Sequence, residues 1–111
     1  MRRVVLSVVI AAVIVVLITL VGMAAKNPSE EALIIQAKTL YSQSRKDGFD
    51  MANGPCLGSL VADWAVDVVH EPRQAIDDQE GWNCEEFITG KVKNLIELDP
   101  NGNFLRIIRN N

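Results

Sequence analysis

Asp67, His70 and Arg73 fall within one seven-residue stretch and are residue types that acid–base chemistry uses. An imidazole titrates near neutral pH, and a carboxylate can fix its tautomer and orientation. On a helix, the i, i+3 spacing would bring Asp67 and His70 together. On a strand the two side chains point to opposite faces and the dyad fails. The plainer use of Asp67 and Arg73 is as polar contacts that hold the turn at Glu71-Pro72, and that reading is preferred. Cys56 and Cys84 add two thiols, either of which could pair with His70 as a nucleophile. So short a chain offers little scaffold for a cleft, however, and beyond the cytoplasm two cysteines most simply bond to each other. A Cys56–Cys84 disulfide is therefore expected, closing a loop of about 29 residues and contributing ~3–4 kcal/mol through chain entropy.

Metal chemistry has less support. Cys56, His70 and Cys84 could supply three soft ligands, but neither C-x-x-C nor H-x-x-x-H spacing is present. Asp77, Asp78, Glu80, Glu85 and Glu86 crowd one segment and could hold calcium through oxygens, but a solvated acidic face is the preferred reading. Asp99-Pro100-Asn101-Gly102-Asn103 is superficially a calcium loop, but Phe104 stands where the glycine is required, so it reads as a turn. No metal and no cofactor is expected. Of the two tryptophans, Trp64 suits a core. Trp82, in a polar loop, suits either a partner anchor or a cover for the disulfide.

These residues need positioning, and the elements begin with an anchor. Residues 4–25 contain no charge, and as a helix they would be about 33 Å long, enough for a hydrocarbon core of roughly 30 Å. Arg2 and Arg3 precede the run and only Lys26 follows it directly, so the N-terminus is expected in the cytoplasm and the rest outside. Gly22 and Ala24 would also fit a signal-peptidase site, but the apolar stretch exceeds the usual core of about 7–15 residues, which favours a retained anchor over residues 1–26. Residues 27–111 then form one small domain, with nine basic against fourteen acidic side chains from Lys26 onward, a net charge of −5. Such an acidic balance disfavours nucleic acid, whose binding rests on clustered Lys and Arg.

Within the domain, Leu33, Ala37, Leu40 and Tyr41 recur at helical spacing, with Ile34 widening the stripe, and predict an amphipathic helix over 28–47. Asn27 and Pro28 suit its start, Arg45, Lys46 and Gly48 its end. Residues 57–70 fit either period, and their valine content tips 64–70 towards a strand. Residues 72–86 read as an irregular loop. Asn94–Leu98 and Asn103–Ile108 flank Asp99-Pro100-Asn101-Gly102, a β-hairpin signal. The predicted class is α+β: an N-terminal transmembrane helix, an amphipathic helix and a small antiparallel sheet ending in a β-hairpin.

The set Asn53-Gly54-Pro55-Cys56-Leu57, Asp63-Trp64, Asp67-Val68-Val69-His70, Pro72-Arg73-Gln74, Ile76-Asp77-Asp78 and Cys84 resembles small membrane-anchored bacterial and archaeal proteins with a Gly-Pro-Cys to Cys block. The resemblance covers roughly residues 53–104, and Trp82 before Asn83-Cys84 departs from it. It implies no activity and transfers no functional residue. An apolar N-terminus ahead of a cystine-bearing sheet is similar in shape to type IV pilins, but the pilin processing motif and early glutamate are absent. The function expected is that of a membrane-tethered extracytoplasmic interaction or structural module. It would contact the bilayer through residues 4–25 and a protein partner at the cell surface. A ligand- or metal-binding domain using the acidic loop and His70, and a small enzyme using Asp67, His70 and Arg73, are the alternatives.

Overall fold

A computed structural model describes residues 28–110. The apolar run 4–25, and with it the expected transmembrane helix, lies outside the described residues, as does the Asn27 cap. Among the described residues no helix is long and apolar enough to cross a membrane. The compact unit Glu31–Asn111 carries the fold.

The amphipathic stripe forms α1 (Glu30–Lys46), which buries Leu33, Ala37, Tyr41 and Ser44. Its end is closed by the backbone. The Gly48 N–H donates to the Arg45 carbonyl and the Phe49 N–H to the Ser44 carbonyl, while Gly48 sits at φ +97°. This is the Schellman arrangement, which needs a left-handed residue and so favours glycine. Arg45 and Lys46 in the last turn complement the helix dipole.

Four strands follow, β1 (Cys56–Ser59), β2 (Trp64–Val68), β3 (Asn94–Leu98) and β4 (Phe104–Arg109), arranged in the order β1-β2-β3-β4. The predicted C-terminal hairpin is present as β3 and β4, with Gly102 at φ +86° in its turn. The strand expected over 64–70 is shorter, ending at Val68, and β1 was not anticipated. The sheet is mixed rather than antiparallel, because β2 and β3 pair in parallel. Antiparallel neighbours can turn back within a few residues, but a parallel pair requires a long crossover. Residues 69–93 are that crossover, so the stretch expected to be an irregular loop is a covering layer. It contains a 3-10 turn over Ala75–Asp78 and the short helix α2 (Glu85–Ile88).

Strand alternation divides the core in two. Val66, Val68, Ile96 and Leu98 face α1 and cluster with Leu33, Ala37, Tyr41, Met51 and Leu57. Ala65 and Leu95 face the other way and cluster with Cys84 and Val92, with Phe87 and Ile108 packed alongside. Burying about 80 residues' worth of chain this way leaves a marginal core. Cys56 and Cys84 are bonded to each other, as expected, and the bridge ties β1 to the crossover.

Candidate functional site

The polar residues of the second sheet face form a row fixed by strand register. Cys56 lies opposite Asp67, Asp67 opposite Glu97, and Glu97 opposite Arg106, so one residue from each strand joins it. Residues directly opposite in a sheet share a face, which brings these side chains together. Asp67 and Glu97 are almost fully buried, at 2 % and 1 % exposure. Two half-exposed arginines neutralise Glu97: Arg106 donates to its Oε1 at 2.6 Å and Arg73, from the crossover, to its Oε2 at 3.2 Å. Arg73 also donates to Asp78 at 2.8 Å, and Arg106 pairs with Glu71. Arg73 and Glu71 thus fix the entry to the crossover around the cis Glu71-Pro72 bond, but through Glu97, Asp78 and Arg106 rather than Asp67.

Asp67 receives no such clamp. Its Oδ1 is buried with no hydrogen-bond partner among the described residues. Burial pushes its carboxyl up to about 8, the neighbouring Glu97 charge adds to this, and Arg73 works against it. Its protonated form is therefore favoured at neutral pH. One of its oxygens and both sulfurs of the disulfide lie within 4.8 Å of one another. Because the sulfurs are joined, they are not free thiolates, and this Cys56, Asp67, Cys84 group offers a metal only a carboxyl.

His70 lies apart from Asp67, as a strand requires. Just past β2, its Nδ1 is 2.9 Å from Asp77 Oδ1 and its Nε2 is 2.7 Å from the Ala52 carbonyl oxygen. A carbonyl can only accept, and an ionised carboxylate can only accept, so both bonds form when both ring nitrogens carry hydrogen. This pair of acceptors favours the imidazolium form of His70. The bond to Asp77 raises its pKa above the ordinary value, with a smaller opposing effect from burial. Asp77, whose side chain is fully buried, also accepts from the Gln74 and His70 backbone N–H groups. Burial works to raise the Asp77 pKa, but these bonds outweigh it and hold the carboxyl below its ordinary range. Gly54 is part of the same knot. At φ +70°, a Cβ there would stand 2.7 Å from Asp77 Oδ1.

The Asp67–His70–Arg73 cluster therefore separates into two structures, with Asp77 and not Asp67 as the histidine's carboxylate. The acidic loop separates too: Asp77 serves His70, Asp78 serves Arg73, and Glu86 accepts from the Ser59 hydroxyl at 3.0 Å. Trp64 is half-buried against the helix-side core, with Arg109 5.7 Å above its ring. Trp82 reaches the disulfide through its backbone, its carbonyl accepting from the Cys56 N–H at 2.7 Å. Glu97 and Arg106 were missed as site residues. The signal for them was a lone acid inside an apolar strand, facing an arginine across the predicted hairpin. Comparison with protein-family models, curated proteins and solved structures finds no match for this chain.

Proposed function

We propose that the chain is a membrane-tethered module, anchored by residues 4–25, that displays residues 27–111 outside the cytoplasm in an interaction or structural role. The observation that carries this reading is how the acid–base groups are used. His70, Asp77, Arg73, Glu97 and Arg106 are each committed to bonds that fix one segment of backbone to another. A general base needs a lone pair that can reach a substrate, and both nitrogens of His70 are engaged. The disulfide favours an oxidising compartment, in line with the orientation that the flanking arginines imply. Ile35 and Ile88, each about three-fifths exposed, offer apolar contacts outside the core.

Protease added to intact cells is expected to remove the domain while the anchor stays membrane-bound. A domain protected in intact cells but digested in inverted vesicles would reverse the topology. The interaction role is tested by photo-crosslinkers at positions 35 and 88 in native membranes. They are expected to give a discrete adduct of higher mass, and adducts with lipid alone would oppose it.

A further inference from the structure

We propose that Cys56–Cys84 is a redox-active disulfide that exchanges with an external dithiol, Asp67 giving a proton to the buried Cys84 sulfur and taking it back on reoxidation. The inference does not depend on which side of a membrane the domain occupies. Three observations carry it. Among the described residues Asp67 Oδ1 is buried without a partner, although buried polar atoms are almost always satisfied. The carboxyl stands within 4.8 Å of both sulfurs. The two sulfurs are also unequal: Cys84 is 3 % exposed, whereas Cys56 is half-buried. Both line a cleft of ≈ 210 Å³ whose other residues include Ser59, Glu85 and Glu86.

These facts set the order of events. An incoming thiolate attacks the Cys56 sulfur, forming a new S–S bond as the Cys56–Cys84 bond breaks. The bonding pair leaves on Cys84. A thiolate there would be stranded among Ala65, Val92, Leu95 and Phe87, an apolar setting that strongly disfavours charge. The neutral Asp67 carboxyl transfers its proton to Cys84 as the bond breaks, leaving the negative charge on the carboxylate. The second thiolate of the external dithiol then attacks its own mixed-disulfide sulfur, releasing Cys56 as a thiolate that is protonated from water in the cleft. Two electrons pass from the dithiol to the chain, and the dithiol departs as a disulfide. The Val66 carbonyl oxygen, 3.4 Å from the Cys84 sulfur and 3.7 Å from that of Cys56, can accept from either thiol once it forms.

Charge around Asp67 suits the task. Glu97 from β3 and Asp77 from the crossover raise its proton affinity, Arg73 lowers it, and Arg106 compensates Glu97. Glu85 and Glu86 stand at the cleft, with no cation among its lining residues. An acid poised at about 8 can give its proton to a sulfur whose apolar surroundings disfavour the thiolate.

The test is reduction of the oxidised full-length chain in detergent micelles by dithiothreitol, followed by maleimide trapping between pH 6 and pH 9.5. Once corrected for the thiolate fraction of the reductant, the wild-type rate is expected to fall as pH rises through about 8. Asp67→Asn keeps the disulfide but cannot donate the proton. It should react about 100-fold more slowly at pH 7 and show no such fall. A wild-type rate in Asp67→Asn, or a wild-type profile with no fall, overturns the proposal, and the second criterion holds even if the variant fails to fold. In a parallel measurement, the remaining thiol of Cys84→Ser should react with a disulfide probe in the native chain, while that of Cys56→Ser should react only in denaturant. Equal or reversed reactivity would overturn the order of attack.

Discussion

Asp67 is a buried acid and His70 a part-buried one in the Brønsted sense, and the surroundings of each favour its protonated form. His70 favours the cation because both of its partners can only accept, and its pKa is raised. Its contribution to stability is full below about pH 6.5 and lost as pH rises through the elevated value. Asp67 is raised too, and the sign is the same: from about pH 4 to 8 the folded chain holds a proton the unfolded chain releases, so folding weakens over that interval. Asp77 and Asp99 act at the other end. For both, burial opposes ionisation but hydrogen bonds prevail, so their contribution fades as pH drops below the ordinary carboxylate range. A melting series across pH should therefore peak at about pH 4 and decline towards about pH 8. His70→Gln should lose about 1.5–3 kcal/mol at pH 6, the worth of hydrogen bonds to a charged group, and the deficit should shrink at alkaline pH. A deficit independent of pH would mean that His70 is neutral. Asp67→Asn should behave oppositely, melting at or above wild type by pH 8, since it removes an acid whose ionisation the fold resists. Glu97→Gln removes the negative neighbour and leaves Arg73 and Arg106 with only Asp78 and Glu71 as acidic partners. Both changes pull the Asp67 titration down, which carboxyl NMR would register.

At the scale of elements, Tyr41 ties α1 to the hairpin turn. The Tyr41 hydroxyl donates to the Pro100 carbonyl at 2.6 Å, and its ring lies so close to Gly102 that a Cβ there would approach to 2.8 Å. Tyr41→Phe should remove about 1 kcal/mol from a urea unfolding free energy. Gly102→Ala should remove about 1–3 kcal/mol, through crowding and its φ of +86°. The Tyr41→Phe loss, and the crowding part of the Gly102→Ala loss, would not appear if the helix packed on the sheet without the turn. The helix and the hairpin were legible because each is encoded locally, by the spacing of Leu33, Ala37 and Tyr41 and by Asn101-Gly102 between apolar runs. Strand β1 was not legible, because a four-residue segment beginning Cys-Leu-Gly-Ser has no period to read and depends on its pairing with β2. Parallel pairing of β2 and β3 was equally hidden. It follows from where the crossover returns, and no residue within either strand records that. The site shows the same division. Asp67, His70, Arg73 and the two cysteines were visible by type, but their grouping was set by register across strands, which put Cys56, Asp67, Glu97 and Arg106 in one row.

The whole molecule is a sheet with two unlike sides, and the disulfide belongs to the weaker one. The helix side buries an apolar cluster drawn from α1 and three strands. The crossover side has a smaller cluster and a charged row, and its fastenings to β1 and the β1–β2 turn include the cystine, Ser59 to Glu86 at 3.0 Å, and the Lys93 N–H to Asp63 at 2.9 Å. A bridge spanning 28 positions contributes ~3–4 kcal/mol by restricting the unfolded chain, a large share of the ~5–15 kcal/mol typical of a domain. Reduction therefore should not act evenly. The helix-side core contains neither cysteine sulfur, and neither cysteine takes part in the β2–β3–β4 ladder. On reduction at neutral pH, the amides of α2 and its flanks, Phe87 to Val92, should lose hydrogen-exchange protection. Those of β3 and of α1 should keep theirs. A chain that cycles its disulfide requires that outcome, because the dithiol form must stay folded to present Cys56 and Asp67 in register. Uniform loss of protection would assign the bridge a purely structural role, with the sheet unable to stand once the crossover is released.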